Sequence, residues 1–106
     1  MPHYRIHGAS DDLAIVETAD GFSREVEEYD AYHGAAFHIV SRTSGQLRVC
    51  LDQDAETGCW TVALGPVDET KPVPAWPIRL EPSPRDYSPR LVVDAPDDAR
   101  LHEVTR

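Results

Sequence analysis

The chain has 106 residues, enough for one domain around one modest core. Its formal charge is −9, with 19 acidic against 10 basic side chains, which argues against a basic surface that grips nucleic acid or anionic membrane. No apolar run is long enough to span a bilayer. The opening Met1-Pro2-His3-Tyr4-Arg5 lacks the apolar core of a secretory signal, so a cytoplasmic setting is expected.

In chain order, the dominant pattern is short alternation broken by turn residues, which reads as strands. His3 to His7 alternates around Tyr4 and Ile6. Gly8-Ala9-Ser10-Asp11-Asp12 is turn chemistry, because Ser and Asp bond to nearby backbone and glycine accepts unusual angles. Leu13 to Glu17 is a second strand, and Asp20-Gly21 signals a hairpin turn. Residues 22–30 are open to two readings. Phe22, Val26 and Tyr29 have helical spacing, yet a charged edge strand fits as well; the all-strand surroundings favour the strand.

Ala36 to Ser41 is the next strand, and Thr43-Ser44-Gly45 turns it. Gln46 to Asp52 then alternates, with Leu47, Val49 and Leu51 on one face. Cys59 to Leu64 alternates likewise, with Trp60, Val62 and Leu64 on one face. Matching the apolar faces predicts Leu51 opposite Trp60, Val49 opposite Val62 and Leu47 opposite Leu64. A slip of one residue would put Trp60 on the wet face.

Seven of the nine prolines lie between Pro66 and Pro89. Proline gives a ladder no donor, so central strands are excluded there. One short strand, Ile78 to Glu81, fits between Pro77 and Pro82. Arg90 to Asp94 is a buried-type strand. Ala95-Pro96-Asp97-Asp98 is a turn, from which Arg100 to Val104 returns as the last strand of a hairpin. The sum is a single all-β domain over residues 1–106: a small β-barrel or β-sandwich of about eight or nine short, mostly antiparallel strands, with meander connections expected.

The opening Tyr4-Arg5-Ile6-His7-Gly8-Ala9-Ser10-Asp11-Asp12-Leu13-Ala14-Ile15-Val16-Glu17 resembles that of small uncharacterised proteins of bacteria and phages. They begin with a strand, Gly-x-Ser-Asp-Asp, and an apolar strand ending in Glu. The resemblance continues thinly through Trp60-Thr61-Val62 and Tyr87-Ser88, where Pro89 stands in place of the relatives' frequent Asp. It implies a compact β fold and carries over no catalytic or ligand residue.

The charge is local. Residues 11–30 hold Asp11, Asp12, Glu17, Asp20, Glu25, Glu27, Glu28 and Asp30 against Arg24 alone, a charge of −7. The default for such a segment is a solvated edge; the functional alternative is a docking face for a partner protein with a basic surface. Glu25, Glu27, Glu28 and Asp30 are its candidate binding residues. Trp76 is the candidate in the proline-rich stretch, which is either a loop that inserts Trp76 into the core or a preformed recognition segment.

Other chemistry is thinly represented. Cys50 and Cys59 are expected as reduced thiols, diagonal neighbours across the predicted hairpin at or past the limit of separation for a disulfide. The histidines, His3, His7, His33, His38 and His102, show no metal-ligand spacing. Ser10-Asp11-Asp12 lacks a base to make a nucleophile, and no phosphate-binding glycine loop is present. No cofactor, metal or catalytic residue is assigned. The reading is a non-enzymatic protein-binding module of phage or prophage type, acting through residues 11–30 or the proline-rich loop. Its rivals are a ligand-binding or hydrolytic barrel around Asp30, His33 and His38, and a subunit of a homo-oligomer joined through a strand edge.

Overall fold

The computed structural model describes residues 3–7, 14–17, 23–26, 35–82 and 89–104. Among them run nine strands and no helix: β1 (His3–His7), β2 (Ala14–Glu17), β3 (Ser23–Val26), β4 (Ala35–Ser41), β5 (Gly45–Gln53), β6 (Trp60–Pro66), β7 (Ile78–Pro82), β8 (Pro89–Asp94) and β9 (Arg100–Val104). They form a five-stranded sheet of order β3-β2-β1-β8-β7 and a four-stranded sheet of order β6-β5-β4-β9. The described pairings are all antiparallel. The protein is all-β, and the sheets are a sandwich rather than a closed barrel.

Period-two alternation builds the shared core. Tyr4, Ile6, Val16 and Val93 come from the five-stranded sheet, and Phe37, Ile39, Leu47, Val49, Leu51 and Trp60 from the other. Val16, Ile39, Val49, Leu51 and Val93 have no measurable exposure. Residues 23–26 are strand, the second of the two readings of residues 22–30. The expected turns at 8–12 and 20–21 lie outside the described residues.

Two expectations are corrected. The β5–β6 register is Leu47 opposite Pro66, Val49 opposite Leu64, Leu51 opposite Val62 and Gln53 opposite Trp60, a shift of two residues from the expected one. A two-residue shift preserves the faces, so Trp60 remains buried and hydrophobic matching cannot tell the registers apart. The loop decides. Asp54 N–H donates to the Cys59 carbonyl at 2.8 Å, and Gly58 N–H to the Asp54 carbonyl at 2.9 Å. The Asp54 carboxylate accepts from the Glu56 and Thr57 amides at 2.8 and 3.1 Å. Gly58 takes φ +74°, a conformation side-chain-bearing residues rarely adopt. Cys50 consequently faces Ala63, and Cys59 lies in the loop, so the two thiols are further apart than diagonal neighbours and no disulfide joins them.

The second correction concerns β8 and β9, which are not a hairpin. β8 pairs with β1 and β7, whereas β9 pairs with β4 in the other sheet. Residues 95–99 are the corner between the sheets. Ala95 and Ala99 are buried there, and a small side chain at each lets the turn sink between the sheets. The Tyr4 hydroxyl donates to the Ala99 carbonyl at 3.0 Å, tying the corner to β1. Meander order holds within β1-β2-β3, β4-β5-β6 and β7-β8 and breaks where the chain changes sheet, after β3, after β6 and at this corner.

Tyr4→Phe keeps the ring and removes that bond, while Arg100 Nη1 still donates to the same carbonyl at 2.8 Å. Stability should fall by the net worth of one hydrogen bond, about 0.5–1.5 kcal/mol. Urea unfolding would show it as a lower midpoint at unchanged slope.

Candidate functional site

The chain leaves β6 at Pro66 and reaches β7 by a segment that folds back on the β4–β5 turn. Asp68 organises its start: its carboxylate accepts from the Thr70 amide at 2.9 Å and the Thr70 hydroxyl at 2.8 Å, and its carbonyl from the Lys71 amide at 2.9 Å. Those bonds from Thr70 hold the Asp68 carboxyl below its ordinary range. Pro72-Val73-Pro74 then runs extended beside Gly45, where a Cβ would come within 3.4 Å of Pro74 Cγ. That is ordinary contact, but Gly45 also has φ +101°, so the turn calls for glycine.

Between this strap and the turn lies a cleft of about 540 Å3. Ser41, Arg42, Ser44 and Gln46 line one wall, and Asp68, Lys71 and Val73 the other. The floor and rim combine apolar proline and valine with two cations, Arg42 and Lys71. Val73 is 43% exposed.

The turn wall is held by Asp98, which precedes β9 beside the end of β4. Its carboxylate accepts from the Ser41 hydroxyl at 2.9 and 3.0 Å, the Arg42 amide at 2.8 Å and the Thr43 amide at 3.3 Å. Ser41 Oγ in turn accepts from the Ser44 amide at 2.9 Å. The bond from Ser41 is the main reason the Asp98 carboxyl is held below its ordinary range, and the bonds from Arg42 and Thr43 add to it.

The outer faces carry ordered charge. On the five-stranded sheet His3 Nδ1 donates to Asp94, Arg79 Nε donates to the other Asp94 oxygen at 3.2 Å, and Arg79 pairs with Glu81. Glu81 Oε2 also meets Arg90 at 3.4 Å and Arg5 at 3.8 Å, and His7 lies 3.5 Å from Glu17. Val92 sits between Arg5 and Arg79 in register on this face and has no exposure, as expected where arginine stems cover apolar surface. On the four-stranded sheet His38 lies opposite both Arg48 and His102, a row of three nitrogen-bearing side chains across three strands. Burial, then the neighbouring Arg48 and His102, lowers the His38 pKa.

Trp76 is partly buried and packs against the core cluster. Its indole N–H is buried and meets no acceptor among the described residues. Glu25 lies in β3, opposite Ile15 of β2 and at the sheet's edge. Glu27, Glu28, Asp30 and His33 lie outside the described residues, as do Ser10, Asp11 and Asp12. Glu17 is paired with His7. Arg42, Lys71 and Asp98 were not singled out by sequence reasoning. Only Lys71, the one lysine, carries a signal of its own, and Asp98 reads as an ordinary turn residue until the fold brings it to Ser41.

No family model, curated protein or solved structure matches the chain. Among the described residues no three or more His, Cys, Asp or Glu side chains are grouped to hold a metal ion.

Two pH effects follow. Burial raises the Asp94 carboxyl, but the bonds and charges of Arg79 and His3 outweigh it and leave the group below its ordinary range. A carboxylate held low in the folded state stabilises above the unfolded pKa, about 3.9. That stability is lost as pH falls through the folded value. Acid unfolding of Asp94→Asn should be less steep than that of the parent below about pH 4. His38 works at milder acidity. Its folded form binds a proton less readily than the unfolded chain, so stability falls as pH drops below about 6.5. His38→Gln should flatten the melting-temperature profile between about pH 7 and 5.

Proposed function

We propose that the protein is a non-enzymatic protein-binding module that receives an extended segment of its partner in the cleft between residues 66–75 and 41–46. The single observation that carries this reading is a cleft already shaped by proline. A strap with Pro66, Pro72 and Pro74 has little backbone freedom left to lose on binding, so contacts made there are offset less by ordering. Exposed Val73 offers apolar contact, while Arg42 and Lys71 offer charge and hydrogen bonds to a partner's carboxylates or carbonyls. The acidic stretch 11–30 complements this as a steering surface for a partner that is basic elsewhere, raising the encounter rate more than the final affinity. The N-terminal pattern from Tyr4 to Glu17 supports a phage or prophage setting.

Lys71 lines the cleft and is the only lysine, which makes the reading directly testable. An amine-reactive crosslinker added to the captured complex should join the partner through Lys71. Val73→Asp should reduce capture, whereas replacing Glu25, Glu27 and Glu28 together by Gln should slow association and remove its salt dependence. Undiminished capture by Val73→Asp, with no crosslink at Lys71, would exclude the cleft.

A further inference from the structure

We propose that the chain forms a two-fold homodimer through the outer edge of β7, joining two five-stranded sheets into one continuous sheet. Among the described residues β7 has a ladder neighbour on one side only, β8. It also carries the two most exposed large apolar side chains there, Leu80 at 69% and Ile78 at 44%.

The ladder shows which backbone groups point outward. Asp94 N–H donates to the Pro77 carbonyl at 2.9 Å, in register with Ile78 opposite Val93 and Leu80 opposite Leu91. Bonding alternates along an antiparallel pair. Residues 77, 79 and 81 therefore turn their polar backbone groups towards β8, and Ile78, Leu80 and Pro82 turn theirs away. The missing amide hydrogen of Pro82 thus costs the β7–β8 ladder nothing.

A two-fold axis at Leu80 satisfies this edge. Leu80 exchanges both backbone bonds with the second copy's Leu80, and each Ile78 N–H meets the other copy's Pro82 carbonyl. Side chains at opposed positions share a face. One face of the junction is then an apolar row of Ile78, Leu80 and Pro82 from both copies. On the other, Arg79 stands opposite the second copy's Glu81 at both ends, extending an ionic network that already joins Arg79, Glu81 and Arg90 within the chain. The sequence Ile78-Arg79-Leu80-Glu81-Pro82 is self-complementary in apolarity and charge. β9 lacks this property, since the same operation centred on His102 would set His102 against itself and Leu101 against Glu103.

The test is the sedimentation mass of the full chain from about 5 to 500 μM. It should rise from 11.8 kDa towards twice that value. Leu80→Lys places like charges on the axis at an exposed site and should weaken the dimer by more than about tenfold. Leu80→Pro removes an N–H that faces away from β8, so dimerisation should be lost while the melting temperature holds at about 5 μM, where the parent is monomeric. Should Leu80→Pro fail to fold, Leu80→Lys still decides. A parent chain that stays at 11.8 kDa throughout, or a dimer unweakened by Leu80→Lys, would overturn the proposal.

Discussion

The corner at residues 95–99 is the constraint on which the rest of the molecule depends. In those few residues the chain passes from β8 in one sheet to β9 in the other, and both ends of the corner are pinned inside. Ala95 and Ala99 are buried between the sheets, and Tyr4 of β1 holds the Ala99 carbonyl. From that corner Asp98 reaches the β4–β5 turn beside it. There it gathers the Ser41 hydroxyl and the Arg42 and Thr43 amides. The turn in turn presents Gly45 to Pro74, and the cleft exists because both walls are set. A contact that looks local, one carboxylate in one turn, thus transmits the geometry of the sheet crossing to the candidate binding surface.

This chain of dependence explains what the sequence made legible. Alternation at period two gave the strands, their inward faces and most of the core, because burial on one face leaves a direct imprint on residue type. It could not give the β5–β6 register, since shifts by two residues bury the same side chains. The deciding information lay in Asp54 and Gly58, whose bonding pattern is a property of the closed loop. Nor could alternation show that β8 and β9 part company. Ala-Pro-Asp-Asp is good turn chemistry for a hairpin and equally good for a corner, and the difference is the burial of two alanines. The candidate site was half visible. The proline-rich stretch announced a stiff segment, but its opposite wall, Ser41 to Gln46, and its anchor, Asp98, come together only through tertiary contacts.

Charge shows the same division. Outside residues 11–30 the sequence looks nearly neutral and unremarked. The fold sorts that neutrality into two different surfaces. On the five-stranded sheet Arg5, Arg79 and Arg90 face the carboxylates of Glu81 and Asp94, and Arg5 and Arg79 flank buried Val92 in register. On the four-stranded sheet Arg48, His38 and His102 stand abreast, and His38 responds by giving up its proton more readily. The chain's acidity is thus not uniform, because on this sheet Arg48 stands beside two imidazoles rather than beside a carboxylate in register.

The prolines complete the argument, because their positions follow the ladders. Pro66 ends β6 at an edge, opposite Leu47. Pro82 and Pro89 are opposite one another at the last step of the β7–β8 ladder, where neither can donate. Between Pro66 and Pro77 the chain spans from the edge of one sheet to the edge of the other, held at its start by the β5 ladder and at its end by the bond from Asp94 to the Pro77 carbonyl. A strap tethered at both ends and stiffened within needs few further contacts to keep its shape. That is why Lys71, Val73 and Pro72 can remain exposed while they border the cleft, and why the segment least compatible with a sheet is still held in place.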